Sequence, residues 1–218
     1  MARFEQVYSA TSRVEKILSA AAAHHRLLWI HPFLDGNGRV ARLMSYATLR
    51  DALNSGGIWS ISRGLARQHA KYKSHLVECD LVRQGDFDGR GARSERALVR
   101  FTEFFLRTCI DQVEFMGELI KPNRLNTRIM AWAKDEVSLG NLSKPTPKML
   151  QALLYRGELP RAEVAEIVGT TDQQARRYVS ELKQFGVIQS KSTRAPLQTA
   201  FPANLANRWM PALFPEQG

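Results

Sequence analysis

Apolar residues recur at helical spacing through most of the chain. Val14, Ile17, Leu18, Ala21, Ala22 and Leu28 keep that period from about Ser12 to Ile30. Pro32 ends the run, because the residue before a proline is driven out of the helical region. Val40, Leu43, Met44 and Ala47 restart the period after a glycine-rich turn, and Gly56-Gly57 predicts the end of this second helix. Further helices are expected over roughly 63–82 and roughly 94–120, with the loop Gly85-Asp-Phe-Asp-Gly-Arg-Gly91 between them. Pro122-Asn123 breaks the pattern, and a short helix is expected over about 124–138. The segment Gly140-Asn-Leu-Ser-Lys-Pro-Thr-Pro147 has the composition of a linker and predicts a domain boundary.

Beyond it the rhythm shortens. Met149, Leu150, Leu153 and Leu154 predict a short helix. A second begins near Pro160, carries Val164 and Ile167, and stops at Gly169. Thr171 and Gln174 have capping-box spacing for a third, whose apolar stripe is Ala175, Tyr178, Val179 and Leu182 and which Gly186 ends. Val187-Ile188 and Leu197 to Phe201 then read as two strands around a turn at Arg194-Ala195-Pro196. Three helices and a hairpin describe a winged helix-turn-helix. The expected architecture is mainly α: a helical core over 1–120, a helix and linker over 121–146, and a small winged helix over 147–218.

Composition narrows the class without choosing a function. The chain has 218 residues, 44% apolar and 24% charged, which argues against fibrous and wholly disordered proteins. Its longest stretch free of Lys, Arg, Asp and Glu, Ala195 to Asn207, contains Pro, Gln, Thr and Asn, so no membrane-spanning helix is expected. The start, Met-Ala-Arg-Phe-Glu, lacks the apolar core of a signal peptide. Cys79 and Cys109 have no CxxC spacing, which disfavours a zinc site or disulfide scaffold and fits a cytoplasmic protein. A net charge of +10 attracts polyanions but does not say which.

The chemistry concentrates in His31-Pro-Phe-Leu-Asp-Gly-Asn-Gly-Arg-Val-Ala-Arg42. Gly36 and Gly38 permit a tight turn whose amides converge on an anion, and the turn opens a helix whose N-terminus favours negative charge. Arg39 and Arg42 share a face of that helix and can clamp phosphate oxygens. Asp35 opposes an anion unless it holds Mg²⁺ between itself and the phosphates. His31 can accept a proton near neutral pH. Together these are parts for phosphoryl or nucleotidyl transfer. His24, His25, His69 and His75 read as ordinary helix residues, and Asp86 and Asp88 as turn formers rather than metal ligands.

At these residues the sequence resembles the Fic family, whose motif H-P-F-x-[D/E]-G-N-G-R-x-x-R it matches throughout. Ala23-His24, the Arg83-Gln-Gly-Asp-Phe87 loop and Phe104-Phe105 agree with that family, and the resemblance covers roughly residues 1–120. It implies transfer of AMP from ATP to a hydroxyl of a target protein. In that role His31 is the general base and Asp35 holds Mg²⁺. Asn37 with the backbone of Gly36 and Gly38 binds the α- and β-phosphates, Arg39 and Arg42 hold the terminal ones, and Phe33 packs the loop to the core. The Gly-Asn-Gly-Arg form favours nucleotidyl transfer over the family's kinase-like branch. Fic cores usually carry a β-hairpin flap that aligns the target peptide with ATP. With 30 residues before His31, the chain is expected to lack the flap and to be shortened at its N-terminus. The family's inhibitory motif [S/T]-x-x-x-E-[G/N] is also absent: Thr11 and Glu15 have the spacing, but Lys16 follows.

The tail, from Pro147, resembles the winged helix appended to many Fic proteins. Arg176, Arg177, Ser180, Lys183 and Gln184 lie off the apolar stripe of its third helix, with Lys191 and Arg194 on the wing, as a DNA reader would place them. From Asn141 to Gly218 there are 10 basic and 6 acidic residues, a modest surplus, and Glu181 lies inside the third helix. DNA binding therefore stands beside dimerisation, as a homodimer, or docking of a target protein. A DNA-binding regulator whose Fic part senses nucleotide or is inactive is the alternative to the enzyme.

Overall fold

Ser12 starts the first long helix by reciprocal capping: its hydroxyl accepts from the Glu15 amide at 3.2 Å, and the Glu15 carboxylate accepts from the Ser12 amide at 3.4 Å. The computed structural model describes residues 1–9, 12–54 and 58–214. They are mainly helical, with one small three-stranded sheet. They form two compact units, Met1–Gly117 and Glu118–Gly218.

The first unit holds α1 (Ala2–Tyr8), α2 (Arg13–Ile30), α3 (Asn37–Leu53), α4 (Ile61–Arg67), α5 (His69–Cys79) and most of α6 (Glu95–Leu119). α1, a helix the apolar pattern does not announce, buries none of its residues. α2 and α3 pack as a hairpin through small residues: Ala20, Ala21 and Ala23 on α2, Ala41 and Ser45 on α3. Leu49, Ile61, Leu65, Phe101 and Phe105 fill the core behind them. α3 ends at Leu53 on a left-handed Asn54, ahead of the expected stop at Gly56-Gly57, which lies outside the described residues, as does Thr11.

The single helix expected over 63–82 is two. Gln68, at φ −110° and ψ 33°, separates α4 from α5. No glycine or proline marks the break. Ahead of the break α4 lies directly against α6, where a Cβ on Gly64 would stand 2.4 Å from the Thr108 methyl. Asp88 organises the 83–94 loop, accepting from the Gln84 amide, the Ser94 hydroxyl and the Arg96 amide at 2.8, 3.0 and 2.9 Å. These bonds hold its carboxyl down at about 2. The aspartate is a turn organiser, as its sequence context suggested.

The second unit holds α7 (Pro122–Ser138), α8 (Thr146–Arg156), β1 (Glu158–Leu159), α9 (Val164–Val168), α10 (Asp172–Gln184), β2 (Ile188–Gln189), β3 (Leu197–Thr199) and α11 (Ala206–Trp209). The strands run antiparallel in the order β1-β3-β2, with Leu159 opposite Leu197 and Ile188 opposite Thr199. β1 and α11 lie outside the sequence expectation. The proposed linker needs correction. Leu142 is buried, and Ser143 and Thr146 donate to the Glu181 carboxylate, so the 140–147 segment is fastened to α10. α7 likewise supplies Ile129, Trp132 and Ala133 to this unit's core, where Trp132 meets Trp209 and Phe185 edge-on, each at 5.4 Å. The division therefore falls before α7 rather than after it.

Candidate functional site

The segment between α2 and α3 is a tight, internally bonded turn. α2 stops at His31, which adopts the left-handed conformation at φ 51° and ψ 56° while its amide still donates to Leu27. That conformation costs a non-glycine residue about 1–2 kcal/mol. The following Pro32 excludes further helix and leaves the imidazole exposed, with no hydrogen-bond partner among the described residues.

Asn37 closes the turn. Its side chain is buried, donates to the Phe33 carbonyl at 2.6 Å and accepts from the Phe33 amide at 3.0 Å. Phe33 was expected to be the packing anchor, but the residue is 49% exposed. Asn37 holds the loop through the backbone of Phe33 instead. The asparagine expected to meet phosphate thus has a structural task in the turn.

Gly36, at φ +85°, is the N-cap of α3 and offers no capping side chain, so the first-turn amides face outward. Two guanidiniums fold back over this end. The Arg39 Nη2 atom lies 3.2 Å from where a Cβ on Gly36 would stand, and the Arg42 Nη1 atom 3.3 Å from the same point on Gly38. The glycines make room for the arginines as well as bending the chain. Asp35 occupies part of the nest: it accepts from the Gly36 amide at 2.6 Å and from Arg39 at 2.9 Å. Both members of this pair are well exposed, so it is worth about 1 kcal/mol or less and an entering phosphate can displace it.

Asp35 is the only carboxylate within the turn. Among the described residues no three His, Cys, Asp or Glu side chains cluster as a ready metal site. A lone exposed carboxylate beside an anion nest suits Mg²⁺, which binds through one or two carboxylates together with a substrate's phosphates.

Behind Arg42 runs a buried polar chain that sequence reasoning passed over. His24 lies fully buried on α2, its Nδ1 2.8 Å from the Ser45 hydroxyl of α3 and its Nε2 2.7 Å from the Tyr72 hydroxyl of α5. Burial, then the Arg42 charge, lower its pKa to about 4. Burial raises that of Tyr72, against which the Arg42 charge and hydrogen bond act. The partners of His24 come from 21 and 48 residues away, so no local signal could have announced them.

In the second unit, the expected DNA readers separate into two groups. Arg176, Ser180 and Lys183 line one open cavity of about 580 Å³ together with Thr193 of the β2–β3 turn. Arg161, which the sequence reading did not single out, lines the same cavity and donates to the Ala195 carbonyl at 3.2 Å. Arg177 instead pairs with Glu181 at 3.3 Å, and Lys191 and Arg194 are exposed on the turn away from that lining.

Known proteins resemble the N-terminal part of the chain. Residues 1–49 match the model of the Fic/DOC family. A stretch of 54 residues is 43% identical to proteins named protein adenylyltransferase Fic from Drosophila yakuba, Drosophila ananassae and Drosophila melanogaster. The stretch is 24% of this chain and spans 11% of the length of each relative. The family match takes in α2, the turn and α3 as far as residue 49. Among the described residues, no helix is long and apolar enough to cross a membrane.

Proposed function

We propose that the 31–42 turn binds the phosphates of ATP and that the chain transfers AMP to a hydroxyl of a target protein. The observation that carries this reading is the uncapped N-terminus of α3, overlaid by two guanidiniums and flanked by an exposed histidine that has no hydrogen-bond partner among the described residues. Anions favour such an end, and guanidinium forks match phosphate oxygens. The match of residues 1–49 to the Fic/DOC model supports the same assignment.

In the reaction a Ser, Thr or Tyr hydroxyl oxygen attacks the α-phosphorus, the bond to the bridging oxygen breaks, and pyrophosphate leaves. His31 takes the hydroxyl proton. The His31 ring is exposed and has no hydrogen-bond partner among the described residues, which leaves a ring nitrogen open to the incoming hydroxyl. The amide of Gly38, with Arg42 over it, steadies phosphate charge, and Arg39 changes partner from Asp35 to nucleotide. Asp35, thus released, would hold Mg²⁺ with the phosphates, and the ion would offset charge on the leaving pyrophosphate.

The test is transfer of label from α-phosphate-labelled ATP to the chain itself or to proteins of a lysate, read by autoradiography and mass spectrometry. His31→Ala should lower transfer by on the order of 10²–10⁴-fold while leaving ATP affinity nearly unchanged. Equal labelling by the variant removes His31 from the chemistry.

The cavity lined by Arg161, Arg176 and Lys183 favours a second reading: a winged-helix DNA-binding regulator, with the 31–42 turn sensing nucleotide. Its signature is duplex binding that weakens with salt by about 0.9 log units per neutralised phosphate and is lost on charge reversal at Arg176. Binding that ignores salt and Arg176 rejects this reading.

A further inference from the structure

The cavity of the second unit gathers cations into one hollow. Asp172, Arg176, Ser180 and Lys183 follow one another at three or four residues along α10, so they share the face that lines it. Arg161, ahead of α9, is tied to the β2–β3 turn. Its Nε donates to the Ala195 carbonyl at 3.2 Å, while its Nη2 is buried with no hydrogen-bond partner among the described residues. A buried donor left without an acceptor is costly. Arg176 and Lys183 are exposed and have no ion pair among the described residues. Against these three cations the lining sets one carboxylate, Asp172, which leaves a surplus of two positive charges. The buried Val164 and Val179 supply apolar lining beside them.

We infer that this cavity binds a small organic phosphate monoester, whose phosphate meets Arg161, Arg176 and Lys183 and whose organic part covers Val164 and Val179. Near neutral pH such a phosphate carries close to two negative charges, which the surplus of the lining matches. Its free oxygens accept hydrogen bonds, and Arg161 holds a donor that no described group uses. The volume, about 580 Å³, is that of a small-ligand pocket and leaves room beyond the phosphate for an organic body. A duplex fits this hollow less well, because it is held by cations spread along its backbone. Here Arg177 is paired with Glu181, and Lys191 and Arg194 stand outside the lining. The assignment rests on neither reading above, and it takes the cavity from the duplex.

Phenyl phosphate is the probe, titrated into the full chain while backbone amide resonances are recorded, with inorganic phosphate and a mixed-sequence DNA duplex in parallel. Phenyl phosphate should give saturable shifts at Ala162, Arg176, Ser180 and Thr193 at about millimolar concentration. Inorganic phosphate, which lacks the apolar part, should give the same shifts with about 10-fold lower affinity. Arg161→Gln keeps a donor for the Ala195 carbonyl and removes the charge; it should weaken phenyl phosphate about 10- to 100-fold. Lys183→Gln, at an exposed residue whose change leaves the fold intact, should weaken it about 3- to 10-fold. Any shift at Gly36 and Gly38, which reports the 31–42 turn, should be the same in both variants as in the wild type. If circular dichroism shows Arg161→Gln unfolded, Lys183→Gln decides alone. No saturable shift at the four cavity amides with phenyl phosphate overturns the site, as does unchanged affinity in either folded variant. Shifts at those amides with the duplex and none with phenyl phosphate overturn it in favour of DNA.

Discussion

The neutral state of His24 makes the first unit acid-sensitive in a defined window. The buried imidazole has a folded pKa of about 4 against 6.5 for the free side chain. Above 6.5 neither the folded nor the unfolded chain carries the proton there, and the contribution of the chain Ser45–His24–Tyr72 is fully present. Between 6.5 and about 4 the unfolded state takes up a proton that the folded state refuses, so stability falls as pH falls. Below about 4 both states are protonated and the loss levels off. The depressed pKa corresponds to a loss of about 3 kcal/mol over the window, at about 1.4 kcal/mol for each pH unit. His24→Gln keeps a donor and an acceptor on the side chain and cannot titrate. Urea unfolding followed by circular dichroism across the window gives the wild-type stability, and subtraction of the variant's values cancels every other group. The difference should slope down by about 3 kcal/mol toward acid. A difference that stays flat between 6.5 and 4 refutes the argument, because it means His24 is protonated as easily folded as unfolded.

Gly64→Ala should lower the stability of the chain by about 1–3 kcal/mol in a thermal melt, since the added methyl would lie 2.4 Å from Thr108 on α6; an unchanged melt would mean that α4 can slide freely. Asp88→Asn should speed amide hydrogen exchange at Gln84 and Arg96, whose protons the carboxylate accepts. Because the folded carboxyl titrates at about 2, below its ordinary 3.8, its support of this loop is present above 3.8 and is lost as pH falls through about 2. Exchange at those two amides that is insensitive to both changes would contradict its role.

Much of the turn was legible because glycine and arginine at fixed spacing have few alternative uses. Gly36 and Gly38 announced a bend, Arg39 and Arg42 a shared helix face, and Pro32 the end of α2. What escaped was the double use of polar residues. Asn37 looks like a ligand and closes the turn, while Phe33 looks like an anchor and stands exposed. Capping chemistry read correctly at Thr171, whose hydroxyl accepts from the Gln174 amide, while the reciprocal cap at Ser12 went unread. The break at Gln68 was hidden because no glycine or proline marks it. Two-residue β1 is too short to show alternation, and Trp209 enters its core from a segment without helical period. His24 and its two partners lie on three helices, a relation that spacing along one helix cannot express.

The central claim, that the 31–42 turn is a nucleotide phosphate site, is tested most directly by titrating the full chain with ATP and Mg²⁺ while recording backbone amide resonances. The account predicts saturable shifts at Gly36, Gly38 and Arg39 and at the His31 ring, together with loss of the Asp35–Arg39 pairing, and their disappearance in Arg42→Ala. No shift in the turn at about millimolar ATP, or shifts confined to the cavity of Arg161, Arg176 and Lys183, would contradict it.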